Sequence, residues 1–437
     1  MGSFIPTTRE ERAEMLAACG LDSFDALYAD VPASVRLQRP LELPAGQAEL
    51  SVRRAMEALA AKNTVFPTVF RGAGAYRHYI PAVVRQITGK EEFVTAYTPY
   101  QAEISQGILQ SIFEFQTMLC ELTGMHAANA SVYNGAEAAA EATAMCRDRK
   151  RSKALLSAAM HPDTIATVQT YCYAAGVPCE LIPLRDGKTD PDALASLLSD
   201  ETACVVLQQP NFYGLIEEAA PLIAAAHAGG AKAVVSCNPM SLALLQTPAA
   251  CGADIAVGDG QPFGLPLAFG GPYLGFMACT EPLTRRLPGR IVGETTDSEG
   301  ARAYVLTLQA REQHIRREKA SSNICSNQAW CALNASVYLA AMGPEGLREA
   351  ASQSVAKAHY LAERLAAAGL PRLHAGEFFH EFVTACPVDP QKLLGKLADE
   401  GILGGLPVEG GILWCATELN TREEIERAAA LCGEVLQ

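Results

Sequence analysis

The sequence predicts an α/β protein in which a large domain with a mostly parallel sheet precedes a smaller α+β domain. Short apolar segments alternate with helical segments between residues 153 and 259, which is typical of parallel strands covered by helices on both faces. Beyond residue 328 the pattern changes to long helices and separated strands. The chain has 437 residues, 49% hydrophobic and 19% charged, which allows two or three domains with a sizeable core.

The first residues predict a helical arm that extends over residues 1–65. Proline breaks it at Pro32, Pro40 and Pro44, and Ser51–Ala61 has the spacing of an amphipathic helix. A loop rich in aromatic and basic residues follows, and glycines interrupt it. Such a loop is too polar for a core and too aromatic for a plain linker.

The large domain is predicted over residues 66–327. Helices are expected over 103–122, ending at Gly124, and over 136–149. The alternating region then predicts five strands, over 153–160, 177–184, 202–210, 231–237 and 253–259. The helices between them are predicted to open near Pro162, at 190–200 with Asp190 as cap, at 218–230 and at 241–252.

The small domain is predicted over residues 328–437. Two helices over 330–342 and 347–367 precede a strand at 380–386, a helix at 389–401 and a strand at 411–417. Thr421 and Glu424 form a capping box for a final helix. A large α/β domain followed by a small α+β domain is the layout of fold type I pyridoxal-phosphate (PLP) enzymes.

Composition excludes several classes of protein. The formal net charge is −13 and basic residues form no block, so nucleic-acid binding is not expected. No apolar run is long enough to span a bilayer, and the N-terminus lacks the apolar core of a signal peptide. The 14 cysteines include no C-x-x-C pair and are interpreted as reduced thiols, without a metal site, in a cytoplasmic protein.

A PLP enzyme needs a lysine that forms a Schiff base and an acid, usually Asp, at the pyridine nitrogen. The Asp would follow the strand that ends at Cys237, and the Lys would follow the strand that ends at Asp259. Cys237 and Gln261 stand at those places, and the segment from Ala233 to Glu318 contains no lysine. Ligands of such sheets bind beyond the C-termini of the strands. Lys232 lies at the opposite end of its strand, so it is at the wrong end of the sheet to form the Schiff base.

Half of a phosphate cradle is present. Ser131, Asn134 and Gly135 lie where a helix N-terminus would favour an anion. The alternative is that Asn134 only caps the helix. Both interpretations stay open from the residues alone.

Five segments carry a family resemblance: GAGAYRHYIP (72–81), TAYTPYQAEISQG (95–107), LQSIFEFQT (109–117), LQQPNFYG (207–214) and REQHIRREKASSNICSNQ (311–328). The chain resembles the glycine cleavage system P-protein family, specifically its N-terminal half or separate alpha subunit. The resemblance implies a PLP-dependent decarboxylation of glycine, after which the aminomethyl group passes to the lipoyl arm of the H-protein. It also implies that the Schiff-base lysine and the PLP belong to the C-terminal half, or beta subunit.

By the same resemblance, Gln261 replaces the lysine, Cys237 replaces the pyridine-binding Asp, and the cradle at Ser131, Asn134 and Gly135 is vestigial. No residue of this chain is then expected to be catalytic. We expect an alpha2-beta2 heterotetramer in which this chain supplies walls to the partner's active site. The candidate wall residues are Arg71, Tyr97, Thr98, Tyr100, Gln101, Glu103, His314, Arg316, Arg317, Lys319 and Asn323.

Each wall segment has a plainer alternative. Thr98 or Glu103 would cap the following helix, and the loop around Arg71, Tyr76, Arg77 and His78 would be an arm on the partner. Three interpretations of the basic cluster at 311–323 stay open. It would contact the cofactor phosphate, attract an acidic H-protein, or form a solvated helix face. Lys319 is the remaining lysine with a claim to a Schiff base.

Two other functions are weighed against the subunit hypothesis. A self-contained PLP enzyme, such as a cysteine desulfurase or an aminotransferase, needs a lysine where Gln261 stands. A scaffold subunit that only stabilises its partner would tolerate Tyr97→Phe and Gln101→Ala in turnover.

Overall fold

A computed structural model describes residues 6–95 and 97–436. The chain divides into two compact units, Met1–Thr64 and Val65–Gln437. The start of the predicted arm, residues 1–5, lies outside the described residues. The domain boundaries expected after residues 65 and 327 stay predictions.

The α-helices, numbered in chain order, are α1 (Arg9–Ala18), α2 (Glu49–Ala60), α3 (Ala82–Thr88), α4 (Glu91–Val94), α5 (Gln106–Thr123), α6 (Gly135–Cys146), α7 (Pro162–Ala175), α8 (Pro191–Leu197), α9 (Ala219–Ala228), α10 (Gln313–Arg316), α11 (Ala329–Ala367), α12 (Pro390–Asp399) and α13 (Arg422–Leu436). The strands are β1 (Thr68–Val69), β2 (Ala127–Ala128), β3 (Lys153–Ser157), β4 (Cys179–Ile182), β5 (Leu184–Arg185), β6 (Lys188–Thr189), β7 (Thr202–Gln209), β8 (Lys232–Cys237), β9 (Ile255–Asp259), β10 (Gly275–Cys279), β11 (Val292–Thr296), β12 (Arg302–Leu306), β13 (Glu381–Ala385), β14 (Ile402–Leu403), β15 (Leu406–Val408) and β16 (Gly411–Cys415).

The central sheet has the order β2-β10-β9-β8-β7-β3-β4 in the described part of the chain. Strands β9, β8, β7, β3 and β4 are parallel, whereas β10 and β2 add an antiparallel edge. The predicted parallel strands are therefore confirmed. The parallel strands place their carboxyl ends at one edge of the sheet, where ligands bind in doubly wound folds.

Both faces of this sheet are buried, which explains why its strands are apolar without alternation. On β7, Val205 packs into one hydrophobic cluster and Val206 into another. On β8, Val235 and Val234 divide in the same way. The two clusters fix the sheet between helical layers.

The C-terminal region contains a separate antiparallel sheet with the order β13-β16-β15. Trp414 on β16 is fully buried, and its indole N–H donates to Thr384 Oγ1 at 2.9 Å. Helix α11 breaks at Gly343, where φ is +61°, and Pro344 follows, so the two helices predicted there are confirmed. The capping box at α13 is also confirmed, because Glu424 N–H donates to Thr421 Oγ1 at 3.2 Å.

Two local predictions were wrong, and some elements were not predicted. Residues 241–252 do not continue as an α-helix: a 3-10 helix covers Pro239–Ala243, and Pro248 removes a backbone donor that a longer helix would need. Helix α5 begins at Gln106, three residues later than expected. The hairpin β11–β12 was missed because its strands contain polar residues, and the antiparallel edge was missed although its strand β10 is apolar and buried.

Among the described residues, no helix is both long and apolar enough to cross a membrane. Within the same residues, no cluster of three or more His, Cys, Asp or Glu side chains could hold a metal ion.

Candidate functional site

A cleft of about 840 Å³ opens at the carboxyl ends of β7, β8 and β9. Fold type I enzymes hold their cofactor at this edge of the sheet, so the cleft is the candidate site. Its described walls come from several elements: Ala73, Gly74, Ala75, Tyr76, Tyr133, Asn134, Gly135, Ala136, Glu137, His161, Asp163, Thr164, Thr167, Tyr171, Gln208, Ser236, Cys237, Asn238, Pro239, Asp259, Gly270, Gly271, Pro272 and Tyr273.

Gln261, at the position predicted for the tether, is 0% exposed, and its amide is hydrogen-bonded within the chain. Its Oε1 accepts from Tyr76 N–H at 2.8 Å. Its Nε2 donates to Tyr76 O and to Leu265 O, both at 2.8 Å. The amide is therefore directed at the Tyr76 backbone, and Tyr76 lines the cleft in its place.

Cys237, at the position predicted for the pyridine-binding acid, is buried and lines the cleft. Its thiol donates to Val257 O at 3.5 Å. Burial raises the pKa of the Cys237 thiol to about 12, so the group is neutral at physiological pH. A neutral thiol cannot hold a pyridine nitrogen in its protonated form.

The N-terminus of α6 is already satisfied by side chains of this chain. Asn134 is the cap, and its Oδ1 accepts from Glu137 N–H at 2.9 Å. Asp259 Oδ2 accepts from Gly135 N–H at 3.0 Å. A Cβ at Gly135 would lie 3.0 Å from Asp259 N, so a larger residue would push helix and strand apart by a few tenths of an ångström. Ser131 Oγ accepts from Gln328 N–H at 3.0 Å.

The charge around the cleft also opposes a phosphate. Burial raises the pKa of Glu137 and of Asp259, although backbone N–H groups bonded to each carboxylate lower it. Among the described lining residues none is Lys or Arg, whereas Glu137, Asp163 and Asp259 are acidic. The residues present therefore do not fit PLP: they offer no tether, no pyridine acid and no free cationic cradle.

A loop, which we call the strap (residues 70–80), forms one wall of the cleft. Arg71 Nη2 donates to Gly405 O at 2.8 Å, and its Nε donates to Gly404 O at 3.2 Å. Ala73 N–H donates to Glu381 Oε1 at 2.6 Å. These contacts occupy Nε and Nη2 of Arg71 inside the chain, and its role as a wall residue stays a prediction.

The second half of the strap is held by two carboxylates. Tyr76 O–H donates to Glu381 Oε2 at 2.7 Å. Glu418 accepts from Tyr79 N–H at 2.6 Å and bonds His78 Nδ1 at 2.7 Å. Tyr76 and His78 therefore point inward, whereas Arg77 and Tyr79 are exposed.

The strap makes stability depend on pH through Glu381. Burial raises the pKa of Glu381 from its ordinary value of 4.5 to about 7, against the lowering effect of its hydrogen bonds to Ala73 and Tyr76. The folded chain then retains a proton that the unfolded chain releases, so stability is lost as pH rises from 4.5 to 7. We expect Glu381 to contribute about 3 kcal/mol of this loss. The thermal midpoint of Glu381→Gln should therefore change less with pH between 4.5 and 7 than that of the native chain. The control Glu377→Gln, at an exposed position, should keep the native dependence on pH.

The predicted wall residues lie mostly at the surface. Tyr97 is 97% exposed. Other exposed members are Thr98, Gln101, Glu103, His314, Arg316, Arg317, Lys319 and Asn323. In the described chain, the N-cap residue of helix α5 is Ser105, and no side chain caps the helix there. The alternative that Thr98 or Glu103 caps this helix is therefore wrong.

The structure brings the two wall segments together through half-buried contacts. Asn327 Nδ2 donates to Tyr100 O–H at 3.0 Å. The Arg290 guanidinium lies 5.0 Å from the centre of the Tyr100 ring and pairs with Glu312 at 3.0 Å. Glu312 is also 3.7 Å from His314. Residues 97–103 and 311–323 therefore border one surface, as a shared wall requires.

Sequence reasoning missed the residues that hold this arrangement. Glu381 and Glu418 lie more than 300 positions from the strap they bind, and no local pattern pairs them with it. Asp259 was noted as the end of a strand, without its contact to Gly135. A signal existed at Gln261, because an amide in place of a charged lysine is suited to paired backbone contacts.

Comparison with known proteins gives a consistent result. The family model described as "Glycine cleavage system P-protein" matches residues 2–431. A protein of Moorella thermoacetica named "Probable glycine dehydrogenase (decarboxylating) subunit 1" is 51% identical over 443 residues, with 99% of this chain and 100% of that protein covered. A protein of the same name from Desulfitobacterium hafniense is 48% identical, again over 99% and 100% of the two chains.

A crystal structure of glycine decarboxylase (P-protein) of the glycine cleavage system, in inhibitor-bound form, matches with a TM-score of 0.93. It is 43% identical, with 99% of this chain and 100% of that chain covered. A sphingosine-1-phosphate lyase of Burkholderia pseudomallei matches with a TM-score of 0.68 at 16% identity, covering 93% and 94% of the chains. This second match shows the fold alone. The predicted fold type I architecture, with its large mostly parallel sheet, is confirmed.

Proposed function

The chain belongs to the glycine cleavage system P-protein family, and from that premise we propose that it is the subunit of glycine decarboxylase that does not carry the cofactor. The observation that carries this proposal is the state of position 261. Gln261 is fully buried and its amide makes three hydrogen bonds within the chain, where the tethering lysine of a PLP enzyme would lie. The cofactor is then bound by a partner.

We place PLP on a beta subunit and expect an alpha2-beta2 heterotetramer that acts on glycine and on lipoylated H-protein. The shared surface of residues 97–103 and 311–323 would form walls of the partner's active site. Its exposed cations, Arg316, Arg317 and Lys319, suit an anionic group of the cofactor or an acidic H-protein. The cytoplasmic location expected from the sequence belongs to the same proposal.

A self-contained PLP enzyme is disfavoured by the geometry at three separate positions. Gln261 offers no amine, Cys237 offers no acid, and Asp259 occupies Gly135 N–H at the α6 N-terminus. Lys319 is exposed, and Lys232 begins β8 at the edge of the sheet opposite the cleft. The alternative function is a scaffold subunit that only stabilises its partner. Turnover by variants of the wall residues distinguishes a scaffold from an active-site wall.

The test is reconstitution of the chain with a candidate beta subunit, PLP and H-protein, followed by exchange of labelled carbon dioxide into glycine. We expect exchange from the complex, and about a tenfold lower kcat for Tyr97→Phe or Gln101→Ala with assembly unchanged. The control is Tyr173→Phe, on α7, because this tyrosine is 88% exposed against 97% for Tyr97. Absence of exchange from the native complex would contradict the proposal. A native kcat for both wall variants would favour the scaffold.

A further inference from the structure

Gln261 does more than fill the place of a lysine. One amide holds both the N–H and the C=O of Tyr76, as a neighbouring β-strand would, and binds Leu265 O as well. An amide carries an acceptor and two donors on one group, so it can make this set without a charge in a fully buried position. Lysine has donors alone, and glutamate is charged or has a single donor.

The same clamp occurs elsewhere in this fold. Gln116 is buried and holds the backbone of Val292, accepting from its N–H at 3.0 Å and donating to its C=O at 2.9 Å. Gln106 holds Tyr304 with distances of 2.8 and 2.9 Å. Both clamps tie the β11–β12 hairpin to α5. Gln261 ties the strap to the end of β9 in the same way.

The strap is fixed on its inner side, and on its outer side Arg77 Nη1 donates to Pro67 O at 3.4 Å. Gln261, Glu381 and Glu418 hold Ala73, Tyr76, His78 and Tyr79 by hydrogen bonds, of which those to Tyr76 are buried. A Cβ at Gly72 would collide with Glu381 and lie 2.7 Å from Tyr76 Cε1, so the strap is closely packed beneath. On the outer side, Arg77 is exposed and Tyr79 is 57% exposed. A cation and an aromatic ring on a rigid backbone are typical of residues that dominate protein interfaces.

We infer that Gln261 is a positioning residue for the partner interface: through Tyr76 it fixes the strap so that Arg77 and Tyr79 contact the cofactor-bearing partner subunit. This rests on the proposed function for the identity of the partner. Gln261 thus supports the shared active site by holding the strap in the conformation that contacts the partner.

The first test is a double-mutant cycle read as the dissociation constant of the candidate beta subunit. Arg77→Ala and Gln261→Glu should each weaken binding about tenfold. Together they should weaken it by little more than either alone, since both act through the strap. The matched control is Gln116→Glu, which breaks the same kind of clamp on a different element. Because this clamp does not hold the strap, any change it causes in the dissociation constant should multiply with the change caused by Arg77→Ala.

The second test is a pH profile that a merely structural role would not give. A protonated carboxyl can accept from Tyr76 N–H and donate to Tyr76 O, so the clamp of Gln261→Glu re-forms at low pH. We expect partner affinity of this variant to approach the native value near pH 5.5 and to fall as pH rises. Hydrogen exchange of the strap amides should rise in parallel, and this measurement needs no partner.

Multiplied effects of Gln261→Glu and Arg77→Ala, or native affinity for Arg77→Ala, would overturn the inference. A pH profile of Gln261→Glu parallel to the native one would overturn it too. These outcomes are distinct from failure of the proposed function, which would appear as a native complex that assembles and performs no glycine exchange.

Discussion

Gln261→Lys is expected to destabilise the chain by about 4 kcal/mol and to leave it without bound PLP. The introduced amine would lie at a position with 0% exposure, and Tyr76 N–H would lose its acceptor. A buried ammonium without a partner must lose its proton or disrupt its surroundings. Because Tyr76 lines the cleft in front of this position, the amine would also face the strap rather than a ligand.

Thermal unfolding and an absorbance spectrum with added PLP check this variant. The control is Gln246→Lys, which adds the same charge at an exposed position, and we expect a native midpoint from it. A stable Gln261→Lys chain that develops a visible band and a borohydride-labelled lysine at that position would show that the tether alone is missing. That result would contradict the conclusion that Cys237 and Asp259 also make this site unfit for PLP.

Asp259→Ala is expected to have an effect of similar size, about 3 kcal/mol. The carboxylate accepts from three backbone N–H groups, at Gly135 (3.0 Å), Gln261 (2.9 Å) and Leu274 (3.3 Å). Removing it leaves buried donors unpaired and withdraws a negative charge from the N-terminus of α6. The side chain therefore links helix α6, strand β9 and the segment before strand β10.

Asp259→Asn is the conservative comparison and should fall between Ala and the native chain in thermal midpoint. Inorganic phosphate should leave the native midpoint unchanged, because Asp259 already occupies the anion position. It should raise the midpoint of Asp259→Ala, in which Gly135 N–H at the helix N-terminus has lost its acceptor. A native midpoint for Asp259→Ala, or stabilisation of the native chain by phosphate, would contradict this assignment.

The parallel sheet could be predicted from the sequence because each strand is buried on both faces and is bounded by turn or cap residues. Asp190 and Pro191 mark a helix start by local chemistry, and the structure confirms it. The hairpin β11–β12 could not be predicted, because its strands contain polar residues such as Glu294 and Arg302 and depend on distant clamps from α5.

The sequence predicted which groups the candidate site lacks, a lysine at position 261 and an acid at position 237. It did not predict the contacts that the residues at these positions make. Strand ends located Cys237 and Gln261 because both follow apolar runs at fixed places in the fold. The partners of those positions come from far along the chain, as Tyr76 does for Gln261, and no periodic pattern reports such pairs. The wall segments were located by family resemblance, and their proximity depends on Tyr100, Asn327 and Arg290.

We propose that this chain lends an active-site wall and leaves the cofactor to its partner. The most direct measurement is borohydride reduction of the reconstituted complex with PLP, followed by mass spectrometry of the labelled lysine in both chains. We predict one labelled lysine, in the beta subunit, and none in this chain with or without its partner. A label on Lys319 or Lys232 of this chain would contradict the account and would indicate a self-contained PLP enzyme.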